Sequence, residues 1–169
     1  MLGISVGPIR RKQAIAVGVI FRGNSWLDGV LSCTIDLTKP NPWLNLLKAI
    51  MKSRQYSQLH AIILSRSVLR NGINVPSLAK KLSVPVVAIV TGLRSSTFTK
   101  SQLGTRNYRL LVNGKRISVL AKGVTFKEAQ EIFEVGCSPD SFLPEATRVA
   151  NLIARHGFPA LTEPKASNA

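Results

Sequence analysis

Ser65 and Arg66 stand where an unbroken apolar run, Ala61-Ile62-Ile63-Leu64, gives way to a turn signal at Asn71-Gly72. The carboxyl end of a buried parallel strand is where many α/β proteins keep a working residue. An enzyme of nucleic acids that works through metal ions would carry a carboxylate there. Cleavage of that kind needs two or more carboxylates converging on divalent cations. Ser65 and Arg66 offer a hydroxyl and a fixed positive charge instead. Of the eight acidic residues, Glu128, Glu131 and Glu134 fall on a predicted helix, Asp140 lies in a turn after Pro139, and Glu163 is in the tail. That leaves Asp28, Asp36 and Glu145. Only Asp36 reads as a strand-end carboxylate, a weak catalytic candidate, and neither a metal-ligating set nor a cofactor is expected.

Other chemistries are equally thin. His60 precedes a strand and His156 falls in the last turn of a helix, where a cation is favoured in any case. Ser65 has no histidine near it in sequence, so a nucleophilic triad has no support. There is no G-x-x-x-x-G-K-[ST] phosphate loop, and the glycines at 3, 7, 18, 23 and 29 fit no dinucleotide fingerprint. Cys33 and Cys137 have no metal-site spacing and read as two reduced, buried thiols.

Charge is the strongest signal. Lys and Arg number 23 against 8 Asp and Glu, a net charge of +15. Between Asp36 and Glu128 there is no acidic residue at all. A surface that needs only solubility mixes both signs, and one that omits negative charge repels itself unless a polyanion neutralises it. The candidate phosphate contacts are Arg10, Arg11, Lys12, Lys39, Arg66, Arg70, Arg94, Lys100, Arg106, Arg109, Lys115 and Arg116. The charge is not confined to one amphipathic helix, which argues against a membrane surface. No apolar run is long enough to span a bilayer, and a cytoplasmic location is expected.

The elements that must position these residues follow from periodicity. With 45% hydrophobic residues, the chain can bury a core. Leu2 to Gly7 reads as a first strand, followed by two longer antiparallel strands, "QAIAVGVIFRG" and "WLDGVLSCTIDL". Trp43, Leu46, Leu47, Ile50 and Met51 share one face of a helix. Ala61 to Leu64, a short helix from Pro76 to Leu82 and Val84 to Val90 make a parallel strand–helix–strand unit. Residues 93–107 read as a polar, basic loop or one short helix. Asn113-Gly114 predicts a two-residue hairpin, and Thr125 with Glu128 predicts a capping box opening a helix that buries Phe126, Ala129, Ile132 and Phe133. A last helix begins near Pro144 and carries an apolar stripe of Val149, Leu152 and Ile153. One domain over 1–157 with a short tail at 158–169 is expected. The class is α/β, a mixed sheet with helices on both faces, compatible with a ribonuclease H-like architecture.

Several stretches carry a more specific likeness: "GISVGP", "VGVIFRGNSWLDGVL", "LSRSVLRNGINV", "VPVVAIV", "KGVTFKEAQEIF" and "PEATRVANLIA". From Leu2 to about Ile153 the chain resembles the archaeal deoxyuridine endonucleases, relatives of endonuclease V with a ribonuclease H-like fold. In that family the first strand ends Gly-Ile-Asp-Asp-Gly, where this chain has Gly3, Ile4, Ser5, Val6 and Gly7. The central strand's Leu-Asp-Gly is here Leu64, Ser65 and Arg66. The third strand's Val-Asp-Gly-Leu-Asp-Ala-Thr corresponds to Ile35, Asp36, Leu37, Thr38 and Lys39, so only Asp36 is kept there. Asn151 replaces the usual histidine of the last motif. The resemblance therefore implies a divergent member whose metal-binding carboxylates are missing. Ser5 and Ser65 bring no charge to offset a divalent cation's dehydration, and Arg66 and Lys39 would repel it and attract phosphate.

Charge and missing carboxylates together point to a non-catalytic protein that binds nucleic acid, with structured RNA, the rRNA of a ribosome included, preferred over DNA. Aromatic residues are only 6%, too few for a single-strand stacking platform. The alternatives are a metal-dependent endonuclease acting on deaminated bases, and a subunit of a DNA repair or replication complex.

Overall fold

The computed structural model describes residues 1–92 and 102–156. Seven strands form one mixed sheet: β1 (Leu2–Val6), β2 (Gln13–Arg22), β3 (Trp26–Asp36), β4 (Ile62–Leu64), β5 (Val86–Ile89), β6 (Arg106–Val112) and β7 (Lys115–Lys122). Their order is β3-β2-β1-β4-β5-β7-β6. β1, β4 and β5 run parallel, and the outer strands pair antiparallel. The helices are α1 (Leu44–Lys52), α2 (Arg66–Arg70), α3 (Val75–Leu82), α4 (Phe126–Gly136) and α5 (Glu145–His156).

The three central strands are buried throughout, as expected where both faces of a parallel sheet are covered. Alternation divides them between two layers. Leu2, Ile4, Ile62, Leu64, Val86 and Ala88 pack with Leu46, Ile50, Leu78 and Leu82 of α1 and α3. Ile63, Val87 and Ile89 share the opposite face with Ala129 and Phe133 of α4. Val17, Val19 and Phe21 of β2 meet Ala146, Ala150 and Ala154 of α5 there. Gly3 and Ser5 of β1 belong to this α5 side by the same alternation.

Local rules account for most element ends. Asn74 caps α3 by accepting from Ser77 N at 2.7 Å. The predicted capping box of α4 is present, with Thr125 N donating to Glu128 Oε2 at 2.7 Å. Asn113 (φ 47°) and Gly114 (φ 75°) both take the left-handed backbone that a type I′ hairpin requires.

The departures have physical reasons. Phe126 is half exposed, its ring set edge-on to Tyr108 at 5.8 Å instead of entering the core. Met51 lies exposed at the border of its helical stripe. α5 buries small residues and leaves Leu152 half exposed, with Val149 and Ile153 only partly buried. Its backbone lies so close to β1 that a Cβ on Gly3 would collide with the Ala146–Thr147 peptide, and one on Gly7 with the Ala154 carbonyl. α2 is a short helix where the sequence shows only a strand exit and a turn. The tail at 158–169 and much of the loop at 93–107 fall outside the described residues.

Candidate nucleic-acid interface

The directions of β1 to β4 bring several connections to one rim of the sheet. The β1–β2 turn, the segment after β3 and the start of α2 all lie at the carboxyl ends of β1, β3 and β4. On this rim stand Arg10, Arg11, Lys12, Lys39, Arg66 and Arg70, six of the twelve predicted phosphate contacts. Arg66 Nη1 donates to Thr91 O at 3.2 Å, which ties it to the end of β5. Arg155, by sequence only a helix-terminal cation, joins them through the close approach of Gly7 to Ala154.

The β1–β2 turn is held in an unfavourable conformation. Arg10 N donates to Gln13 O and Gln13 N to Arg10 O, both at 2.8 Å, closing a two-residue hairpin. Its central residues are Arg11 (φ 48°) and Lys12 (φ 63°). Asn-Gly suits such a turn, as at Asn113-Gly114; an Arg-Lys pair costs about 1 kcal/mol or more per residue.

Beneath this rim, β1 and β4 end in a cluster of neutral polar groups. Ser5 is fully buried and Ser65 nearly so. Ser5 Oγ donates to Asn151 Oδ1 of α5 at 2.5 Å. Ser65 Oγ donates to Ser5 Oγ at 3.1 Å and lies 2.8 Å from Ser67 Oγ. Ser67 Oγ accepts from Val6 N at 2.9 Å. One assignment, Val6 N–H to Ser67 to Ser65 to Ser5 to Asn151, gives every hydroxyl hydrogen its own acceptor. Ser67 is readable from sequence only as a second serine two positions beyond Ser65.

Asp36 is elsewhere. Ser5 pairs with Val17, which pairs with Ser32; Asp36 is four residues further along β3. Strand spacing puts it about 10 Å across and about 13 Å along from Ser5. Its Oδ1 accepts from Thr38 N (3.0 Å) and Thr38 Oγ1 (2.6 Å), which holds the carboxyl below its usual range. Glu145, at the other end of α5 from the rim, is buried and bound by Arg148 and Ser138.

The other predicted cations are not with the rim. Lys115 and Arg116 follow a hairpin tip that Asn113 Nδ2 fastens to Ser138 O at 2.9 Å, and Lys115 Nζ lies 4.4 Å from the Phe142 ring centre. That is the amino end of α5, a helix length of about 18 Å from its carboxyl end. Arg106 and Arg109 are exposed on β6. Arg94 and Lys100 lie outside the described residues.

A cavity of about 840 Å³ opens at the opposite rim, with Met1, Phe21, Asp28, His60, Glu128 and Glu131 among its lining. Its carboxylates are engaged: Asp28 with Arg22 (3.3 Å), Glu131 with Lys127 (3.9 Å) and Glu128 in the α4 cap. Burial pushes the Cys33 thiol up to about 11 and Cys137 to about 12, so neither is a nucleophile at neutral pH.

A family model described as endonuclease dU matches residues 1–157. The chain belongs to the endonuclease dU family. Curated archaeal relatives carry the name UPF0215 protein. The one from Methanosarcina mazei is 27% identical over 91% of this chain and 88% of its own length. That from Methanothermobacter thermautotrophicus is 25% identical over 91% and 85%. Among solved structures, a protein of unknown function from Archaeoglobus fulgidus superposes with a TM-score of 0.72 at 20% identity, covering 93% of this chain and 98% of that one. Bacillus subtilis endonuclease V does so with a TM-score of 0.63 at 12% identity, covering 90% and 77%. The ribonuclease H-like expectation is thus met by an endonuclease V-like fold.

A divalent cation of the kind the family resemblance implies does not suit the residues found here. Such ions take anionic oxygens, and three hydroxyls with one amide, already bonded to one another, supply none. Among the described residues no group of three or more His, Cys, Asp or Glu is placed to hold a metal. No helix among the described residues is long and apolar enough to cross a membrane.

Proposed function

We propose that this member of the endonuclease dU family binds nucleic acid without cleaving it, through the cationic rim beside the serine cluster. The observation that carries the reading is the hydrogen-bonded chain from Val6 N to Asn151. It occupies the ends of β1 and β4 with neutral groups that satisfy each other, where the family pattern places aspartates. Arg10, Arg11, Lys12, Lys39, Arg66 and Arg70 around it suit phosphate oxygens. The left-handed Arg11 and Lys12 support the same reading, since strain of that kind persists where a function requires it.

Structured RNA within a cytoplasmic ribonucleoprotein, the ribosome included, is the preferred partner. Further cations on β6 and on the β6–β7 hairpin tip face other directions, which suits a protein surrounded by folded RNA better than one gripping a single duplex. The family name favours the second reading, a metal-dependent endonuclease acting on deaminated bases in DNA.

Sedimentation of a native lysate, with and without ribonuclease, tests the preference for RNA. Passage in heavy fractions, and release by ribonuclease, is the expected result. A light position under both conditions contradicts it. Purified protein should bind RNA with log K falling against log salt at a slope of about −4 to −5, six phosphate contacts each contributing about −0.7 to −0.9.

A further inference from the structure

We infer that β3 is an interface between two copies of this chain, paired antiparallel about a two-fold axis at Leu31. The backbone accounting leads to it. On β2, Ile15 O accepts from Gly7 N, and so points toward β1. Alternation then turns Ala14, Ala16 and Gly18 toward β3, where they face Ile35, Cys33 and Leu31. Leu37 N donating to Lys12 O at 2.8 Å continues the same phase. The N–H and C=O groups of Val30, Ser32 and Thr34 therefore point away from the sheet, at its edge.

Both ends of this edge are covered from within the chain. Asn45 Nδ2 donates to Thr34 O at 3.2 Å, and Gln55 Nε2 to Asp28 O at 3.1 Å. A register shift at Ile20/Phe21 marks the Trp26 end. Between these covers, no donor or acceptor among the described residues reaches the outward groups of Val30 and Ser32. Pairing about Leu31 sets Val30 opposite Ser32 of the other copy, twice by symmetry, and so uses all of those free groups. Asp28 then falls opposite Thr34 of the other copy, so no like charges meet within the paired stretch.

The occupant is a second copy on grounds of charge. Edge strands are ordinarily guarded by Lys, Arg or a covering side chain. β6, the other edge, follows that rule: Arg106 and Arg109 stand exposed on it, and Gln130 straps both Leu111 N (3.1 Å) and Leu111 O (2.6 Å). Residues 23–38, which contain all of β3, hold no Lys or Arg in a chain that carries 23. Two chains of net charge +15 approach most readily along such a strip, where the one flanking arginine of β2, Arg22, is paired with Asp28 at 3.3 Å, and a polyanion would not choose it. Trp26 and Val30 are more than half exposed there.

Sedimentation equilibrium of nucleic-acid-free protein tests this, with Val30→Lys and Ser32→Pro as variants. Val30→Lys places a guarding cation on the edge. Ser32→Pro removes an outward N–H and no bond to β2. The expected result is a species of twice the 18.4 kDa chain mass, tightened by salt because salt screens the repulsion. Each variant that keeps the wild-type melting temperature should raise the dissociation constant at least about tenfold. A wild-type chain that stays monomeric at every concentration overturns the inference, and so does a dimer that Val30→Lys leaves unchanged.

Discussion

Asn151, on α5, accepts a 2.5 Å hydrogen bond from Ser5 at the end of β1. Through Ser65 and Ser67 the same chain of hydroxyls reaches α2 and the Val6 backbone. Separate elements are thus joined at this rim by neutral groups that satisfy one another. The cluster depends on completeness, since a half-satisfied buried polar network is worse than none.

Ser65→Ala removes the middle hydroxyl and leaves the direct 3.1 Å contact between Ser5 Oγ and Ser67 Oγ to carry the link. The expected loss is about 0.5–1.5 kcal/mol, read as a lower midpoint in urea with an unchanged slope. Unchanged stability would mean that water or a rotated hydroxyl replaces Ser65.

The Arg11-Lys12 turn separates stability from binding. Exchanging Arg11→Asn and Lys12→Gly together relieves two left-handed residues and should stabilise the fold by about 1–2 kcal/mol. Nucleic-acid affinity should fall and its salt slope become shallower by about 1.4–1.8, because two phosphate-binding cations are removed. A stabilised variant with an unaltered slope would remove the turn from the interface.

Gly3→Ala should be among the most damaging single changes. The added Cβ meets backbone of α5, which has no flexible end to give way. A cost of at least about 2 kcal/mol is expected by thermal or urea unfolding, and displacement of α5 would also disturb the Ser5–Asn151 bond.

Glu145 is the buried contributor to acid sensitivity, beside the less buried Asp36 and Glu128, whose carboxyl pKa values are also lowered by hydrogen bonds from Thr38 and Thr125. The Arg148 side chain, bonded at 2.6 Å, and Ser138 lower its pKa below the ordinary 4.5. A depressed carboxylate contributes stability that is present above its unfolded pKa and lost as pH falls through the folded value. Wild-type stability should therefore begin to decline below about pH 4.5, and Glu145→Gln should flatten that part of the profile. Because the guanidinium is half exposed, the variant should lose only about 1–2 kcal/mol at neutral pH.

Where the chain's own periodicity decides structure, the sequence is sufficient. The buried parallel strands, the α4 capping box and the Asn113-Gly114 hairpin follow from residue type and spacing alone. The inward face of α5 does not, because Val149, Leu152 and Ile153 look like the stripe while Gly3 and Gly7, far away in sequence, decide that alanines go inward. Ser5 and Ser65 are visible as strand-end serines. That Ser67 and Asn151 complete their bonding is not, since Ser5 and Asn151 lie 146 positions apart. The gathering of Arg10 through Arg70 on one rim, apart from Lys115 and Arg116, likewise depends on strand order rather than on local pattern.

Cleavage is the most direct test of the central claim. Duplex and single-stranded DNA containing deoxyuridine or hypoxanthine would be incubated with the purified protein over a range of Mg²⁺ and Mn²⁺ concentrations, beside a binding titration on the same substrates. The account predicts salt-sensitive binding and intact strands at every metal concentration. Strand scission that requires the metal would contradict it, and its disappearance in Asp36→Asn would place a working nuclease centre at the end of β3, apart from the serine cluster.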